Sequence, residues 1–319
     1  MATMVTDSPL QSAEDRKAGD GSSHPQAEQG TQQKSDQFNW VFFVTIALFH
    51  LLAAVAIVQS ALHFRWSSVV VFLATWVVGQ NVGIGMSYHR QLTHRGYATP
   101  KWLEYLMAGC GTMALQGGPL YWVAVHRMHH QYTDKPGDPH SPRDGAWWSH
   151  MGWILNGSLH NESKVLSRYA PDLAKDPAHQ WLSKYHWLPV TTVGVALLLG
   201  GAAFGGWACG ISWALWGVFL RVTIGMHVTW LVNSATHMWG SRRFPTRDDS
   251  TNNWLIALLT GGEGWHNNHH AHPVSARHGM AWYELDFNYM GIQLLELLGL
   301  AKNVHALDAK TALAKSQSR

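Results

Sequence analysis

Cysteine is nearly absent from this 319-residue chain: Cys110 and Cys209 stand apart, with no C-x-x-C pair. That excludes a disulfide framework and a cysteine-rich zinc module, and leaves both thiols as buried apolar groups. Charge is scarce as well. Asp, Glu, Lys and Arg make up 13% of the residues, and the net charge is +3 without a basic cluster. A nucleic-acid partner is therefore a poor fit. Carboxylate clusters are missing, so hard cations such as Ca²⁺ and Mg²⁺ have no natural site. No apolar stretch follows the first residues, and no cleaved secretory signal is expected.

Tryptophan, by contrast, is abundant at 18 residues, and long uncharged runs recur. Little charge combined with many aromatic anchors favours a membrane protein. The mean hydropathy of −0.11 is pulled down by histidines and polar ends, whereas spans are properties of windows. Residues 1–37 are rich in Ser, Gln, Gly, Asp and Glu and are expected to be disordered. From Trp40 to Val58 no residue is charged. As a helix that run rises about 28 Å, close to the hydrocarbon thickness of a bilayer. Similar runs give four expected spans, 40–58, 67–88, 187–204 and 207–232. The short link 59–66 and a Gly-rich turn pair them into two helical hairpins. Arg221 lies inside the fourth span and should face protein, where a structural partner is expected for it.

Residues Lys101 to Gly118 are fairly apolar but carry Lys101 and Glu104. If they crossed the bilayer, the histidine runs on either side would be separated by it. They are therefore read as an interfacial or re-entrant helix. Both termini and all histidine runs then share one side. Of 23 Lys and Arg, only Arg65 and Arg221 fall elsewhere, so the positive-inside rule makes that side cytoplasmic. Residues 281–304 read as an amphipathic helix and 306–319 as a polar tail. The expected fold is an all-α integral membrane protein, with four transmembrane helices under a cytosolic helical cap, its main domain covering 38–305.

The chemistry lies in the histidines. His266, His269 and His270 fall at i, i+3 and i+4, and so do His126, His129 and His130. On a helix that spacing puts three imidazoles on one face. His89 and His94 form a looser pair five apart, about 140° around an ideal helix. They either serve different metals or lie where the second span unwinds. Together these eight imidazoles suffice for two metal ions, and imidazole suits Fe, Zn, Cu or Ni. Asn233 and His237 share a helical face just past the fourth span; His237 could complete a coordination sphere and Asn233 could hold a bound water. Asp134, Asp138 and Glu263 are candidates to orient the ligand rings. His140, His150, His227, His272 and His278 are read as supporting or packing residues, and His50 as packing.

These stretches resemble the membrane-bound fatty acid desaturases of the Δ9 type. The first box is His89-Arg90-Gln91-Leu92-Thr93-His94-Arg95 and the second His126-Arg127-Met128-His129-His130. The third lies within Gly262 to Pro273, and Asn233-Ser234-Ala235-Thr236-His237 supplies the extra ligand segment. The resemblance implies a non-haem di-iron centre in the cap, held by His89, His94, His126, His129, His130, His237, His266, His269 and His270, with Asn233 acting through a water. It implies a kinked tunnel for a saturated acyl chain, and a reaction that uses O₂ and two electrons to insert a cis double bond. Iron rather than zinc is needed, because Zn²⁺ has no redox chemistry. Trp122, Trp147 and Trp148 are candidates to pack against the acyl chain, with membrane-interface anchoring as the alternative.

Two departures stand out. Ala124 and Val125 occupy positions where animal acyl-CoA desaturases carry an Arg-Asp pair. The acyl carrier, coenzyme A or a glycerolipid, is left open. No His-Pro-Gly-Gly haem motif occurs, so electrons are expected from a separate donor such as a ferredoxin or a cytochrome b5. The competing readings are a di-iron acyl hydroxylase, a histidine-rich metal transporter and a membrane scaffold with a structural metal. A transporter would need ionisable ligands along a path through the spans, whereas here the histidine triplets lie outside them.

Overall fold

A computed structural model describes residues 38–157 and 163–317. The tail 1–37, expected to be disordered, lies outside the described residues. Those residues are helical throughout, with isolated bridges such as Ala98 to Lys302 and no strands among them. Four helices are long and apolar enough to cross a membrane: α1 (Trp40–Leu62), α2 (Trp66–Thr93) and, further on, Leu188–Gly205 and Trp207–His237. These four helices coincide with the uncharged runs, each within about five residues of the expected limits.

The fold begins where Asn39 caps α1 by accepting the Phe42 amide at 3.2 Å. After α2 comes α3 (Lys101–Thr112), and its 12 residues span only about 18 Å. It cannot cross a bilayer. Leu103 and Met107 face the core while Trp102 and Leu106 are exposed. Leu115 and Gly117 then take positive φ and turn the chain into α4 (Pro119–Tyr132). Short helical pieces lead to α5 (Pro177–Lys184), α6 (Leu188–Gly205) and α7 (Trp207–His237). Between α6 and α7 only Gly206 intervenes, and Gly210 allows close approach: a Cβ there would strike the Leu198 carbonyl. After α7 come α8 (Trp254–Thr260), α9 (His266–Ala271), α10 (Phe287–Leu297) and α11 (Ala309–Gln317).

α7 is the hub. Its most apolar window is 67% buried, against 17%, 39% and 11% for α1, α2 and α6. All three other spans pack against it. Arg221 lies fully buried inside α7 and donates to the carbonyls of Met113 at 2.7 Å and Gly217 at 3.1 Å. It has the structural partners expected of it.

Two C-terminal expectations change. The helix over 281–304 shortens to α10, because Asp286 caps it by accepting the Tyr289 amide and Gly299 takes positive φ after its end. Where 306–319 reads as a polar tail, α11 forms and buries Ala312 with Phe244 and Met280.

Candidate metal centre and acyl cavity

Three helices and one helix end deliver the histidines. The second half of α2, Val77–Thr93, is wound as a π-helix. Its i to i+5 hydrogen bonding stacks residues five apart. The His94 amide donates to the His89 carbonyl at 3.2 Å, and the two rings lie 5.0 Å apart. The helix is widened up to Thr93, His94 lies in the turn where it ends, and both rings join one group. Arg95 at φ 52° ends the helix. α4 carries His126, His129 and His130, and α9 carries His266, His269 and His270. His237 follows in a 3₁₀ turn at the end of α7.

The nine imidazoles fall into two groups. His89, His94, His126, His130 and His269 form one; His129, His237, His266 and His270 form the other. Within each group the candidate ligand atoms lie within 4.8 Å of one another. Nε2 to Nε2 separations include 3.1 Å for His89 to His269, 3.2 Å for His126 to His130, 3.1 Å for His237 to His266 and 3.0 Å for His266 to His270. Nitrogens at right angles around an ion, each about 2.1 Å from it, would be about 3.0 Å apart.

The proton inventory tests whether a metal fits. Carboxylates take the Nδ1 hydrogens: Glu263 from His89 at 2.6 Å, Asp138 from His129 at 2.9 Å, Asp134 from His237 at 2.9 Å and Asp248 from His270 at 3.2 Å. Each such neutral ring then presents a bare lone pair at Nε2. His237 and His270 both aim theirs at His266 Nε2, which has at most one proton to share. Nε2 of His94 and of His129 is buried without a protein partner. Converging lone pairs and orphaned nitrogens are what a cation in each group would satisfy, and the donor set fits two first-row transition metals.

Burial favours the neutral form at six of the nine imidazoles. It pushes His94, His126, His130, His266, His269 and His270 well below the ordinary histidine range, and neighbouring imidazoles add to the effect. In His129 burial acts the same way, but Asp138 outweighs it and the net shift is upward. Burial alone would raise Glu263, yet Arg90, His89 and His278 hold it well below the usual carboxylate range.

The supporting layer is buried and mostly charged. Arg90 donates to Glu263 at 2.9 Å and to the Ala276 carbonyl at 2.8 Å, and pairs with Asp286 at 2.8 Å. Asn288 donates to Glu263 at 2.7 Å, and His278 Nδ1 lies 3.0 Å from the same carboxylate. Gly262 at φ 129° brings the chain to Glu263, and a Cβ there would strike Asp286. Asn268 orients α9 by accepting from Asn252 at 2.9 Å and donating to the His278 carbonyl at 2.9 Å. Asp134, Asp138 and Glu263 occupy the orienting positions expected of them. Asp248, Asn268 and the Arg90 pairings carry no spacing signal; only the N-N-H-H run around Asn268 hinted at a buried amide. His140 stacks on His129 at 4.5 Å. His150 and His227 lie apart from the metal groups, hydrogen-bonded to each other at 3.0 Å.

Beside the centre lies a cavity of about 990 Å³, reached by His126 and Asn233. Its walls are mostly apolar, and along one side runs a polar rail, where Trp122 Nε1 donates to Gln116 Oε1 at 3.3 Å and Gln116 Nε2 to Thr229 Oγ1 at 3.0 Å. Of the three tryptophans named for substrate contact, Trp122 lines this cavity. Trp148 does not; it packs on the neighbouring core. Trp147 is 63% exposed and also outside the lining.

Buried imidazoles in two metal-sized groups, set against an apolar cavity and apolar spans, define a membrane protein of the metal-dependent, lipid-handling class. A family model described as fatty acid desaturase matches residues 64–293. The sn-1 stearoyl-lipid 9-desaturase of Anabaena variabilis is 46% identical over 276 residues, 86% of this chain and 96% of the relative. The sn-2 palmitoyl-lipid 9-desaturase of Nostoc sp. (strain 36) is 44% identical, covering 85% of this chain and 91% of its own length. An acyl-CoA C20 Delta5-desaturase of Anemone leveillei is 40% identical over 88% of this chain and 89% of its own. The chain belongs to the fatty acid desaturase family and is an oxidoreductase of that kind.

Proposed function

We propose that this desaturase inserts a cis double bond, at the Δ9 position, into a saturated acyl chain held in the cavity. The observation that carries the reading is the pairing of two imidazole groups with an apolar cavity that reaches His126. The names of the Anabaena and Nostoc relatives support Δ9 and a lipid-linked acyl chain. The overall change removes two hydrogens from adjacent carbons. With O₂, two electrons and two further protons it yields two waters.

Iron in each group would supply the oxidising power that acid–base side chains lack for an unactivated C–H bond. His89, His94, His126, His130 and His269 would hold one ion. His129, His237, His266 and His270 would hold the other, with Asn233 placed to keep a water beside it. The chain's own residues do the positioning. Glu263, Asp138, Asp134 and Asp248 fix ring orientation through the Nδ1 protons. Trp122, Gln116 and Thr229 form a rigid wall that sets which carbons lie beneath the histidines. The apolar lining excludes water from the reacting segment.

The four spans are read as two hairpins, with the histidine cap and both termini on the cytoplasmic side, and the electron donor as a separate protein such as a ferredoxin or cytochrome b5. The test is expression in a host lacking its own desaturase, with lipids analysed by mass spectrometry. The wild type should yield Δ9 cis-unsaturated chains, and His129→Ala, His237→Ala and His266→Ala should yield none while still inserting in the membrane. A product that retains oxygen would identify a hydroxylase instead.

A further inference from the structure

The acyl cavity opens sideways, within the membrane-spanning part of the fold. Val41 and Thr45 on α1 line it and are also exposed on the outer surface. Trp187, Thr191 and Val195 do the same on the start and first turns of α6. Both sets repeat every four residues, so each is one stripe on one helix face. The cavity-lining Val218 and Met226 of α7 behind them are buried. α1 and α6 flank the opening without a seam of their own among the described residues, since each packs on α7. On the side of α1 facing α7, His50 Nε2 meets His227 Nε2 at 2.8 Å and fastens the helix there. The result is a slot between α1 and α6. From Trp187 to Val195 it runs about 12 Å along the helix, starting at the tryptophan-marked end of the span.

The lining chemistry selects the occupant. Among the described residues no Lys, Arg, Asp or Glu lines the cavity or its opening. A coenzyme A head carries phosphates and calls for cationic partners. An acyl chain of a bilayer lipid needs only an apolar path, with its ester left at the interface beside Trp187. We propose that the substrate is a membrane glycerolipid whose acyl chain slides sideways from the bilayer through the slot between α1 and α6, its headgroup never leaving the interface. This rests on the desaturase reading above and on the lipid-linked carrier it takes from the Anabaena and Nostoc relatives; what it adds is the route by which the chain enters.

The test uses the full-length, iron-loaded protein in lipid vesicles containing a stearoyl galactolipid with a mid-chain diazirine. Photolysis is carried out without reductant, so labelling is read without turnover. The wild type should be labelled at Thr45, Thr191 or Val195 on the slot and at Trp122 inside. Thr45→Trp combined with Val195→Trp should cut labelling of the Trp122 segment roughly tenfold, with bound iron unchanged. Thr45→Ala combined with Val195→Ala, which widens the slot, should label Trp122 at least as well as the wild type. Undiminished inner labelling in a narrowed variant that retains its iron would overturn the proposal. So would labelling by a diazirine stearoyl-CoA in place of the galactolipid, or loss of inner labelling in the widened variant. If labelling follows the slot but reduced wild-type enzyme desaturates no acyl chain, the functional reading fails and the entry route stands.

Discussion

Asp134 shows how one side chain can orient a candidate metal ligand from outside the group that would hold the ion. Its backbone is held at φ 57°, an uncommon conformation for a residue other than glycine. From there its carboxylate accepts from His237 Nδ1 at 2.9 Å, the Asp249 amide at 2.8 Å and Ser141 at 3.2 Å. Burial would raise its pKa, but the His237 hydrogen bond lowers it below the ordinary aspartate value. Glu263 plays the same part for His89. Losing such a partner weakens metal binding by about 10- to 100-fold. Asp134→Asn should therefore release metal first from the group containing His237, and Glu263→Gln first from the group containing His89. Metal per chain, measured by mass spectrometry during dialysis against a chelator, should fall in two steps with opposite order in the two variants. Simultaneous loss in both would mean that the groups are not separate sites. These two acceptors were readable because Asp134 follows His130 by four residues and Glu263 precedes His266 by three. Asp248 is 22 positions from His270, and only chain folding brings them together.

At the scale of the element, the 3.6-residue period served well for α4 and α9 and failed for α2. Two triplets at i, i+3 and i+4 announce an α-helical face. A pair at i, i+5 does so only once the helix is known to be π-wound, and nothing local in residues 77–93 specifies that winding. Packing gives part of the reason. A Cβ at Gly83 would collide with the Cys110–Gly111 backbone of α3, close to 2.5 Å from it, so α2 and α3 are pressed together along the widened stretch. Arg221 secures the far end of α3 through the Met113 carbonyl. Arg221→Leu removes that donor and leaves a buried carbonyl unpaired, at a cost of about 2 kcal/mol. The expected outcome is a lower thermal unfolding midpoint in detergent, with metal content per folded chain unchanged. Arg221→Lys should recover part of the loss; full stability of the leucine variant would show that the contact contributes nothing.

For the whole molecule, the uncharged runs made the four long apolar helices legible, and the proposed topology rests on parity: α3 is too short to cross, and an even number of crossings would return the chain to its starting side. Exposed Trp102 and Leu106 on α3, Leu255 and Leu258 on α8 and Leu294 and Leu297 on α10 give three shorter helices apolar faces of their own. In the proposed topology those faces would lie against the headgroup region and keep the histidine groups near the membrane surface. The arrangement has a direct consequence for labelling. With Cys110→Ala and Cys209→Ala as background, Phe64→Cys in the link after α1 and Phe204→Cys at the end of α6, both exposed positions, should react with a membrane-impermeant maleimide only from the outside of intact cells. Tags at either terminus should be cut by protease only after the cytoplasmic face is opened. Both termini digested in intact cells, with both link cysteines shielded, would mean the opposite orientation, whereas one terminus digested with the other protected would mean an odd number of crossings. The groups on α4 and α9 could then be brought together only by a chain path that the short α3 cannot provide.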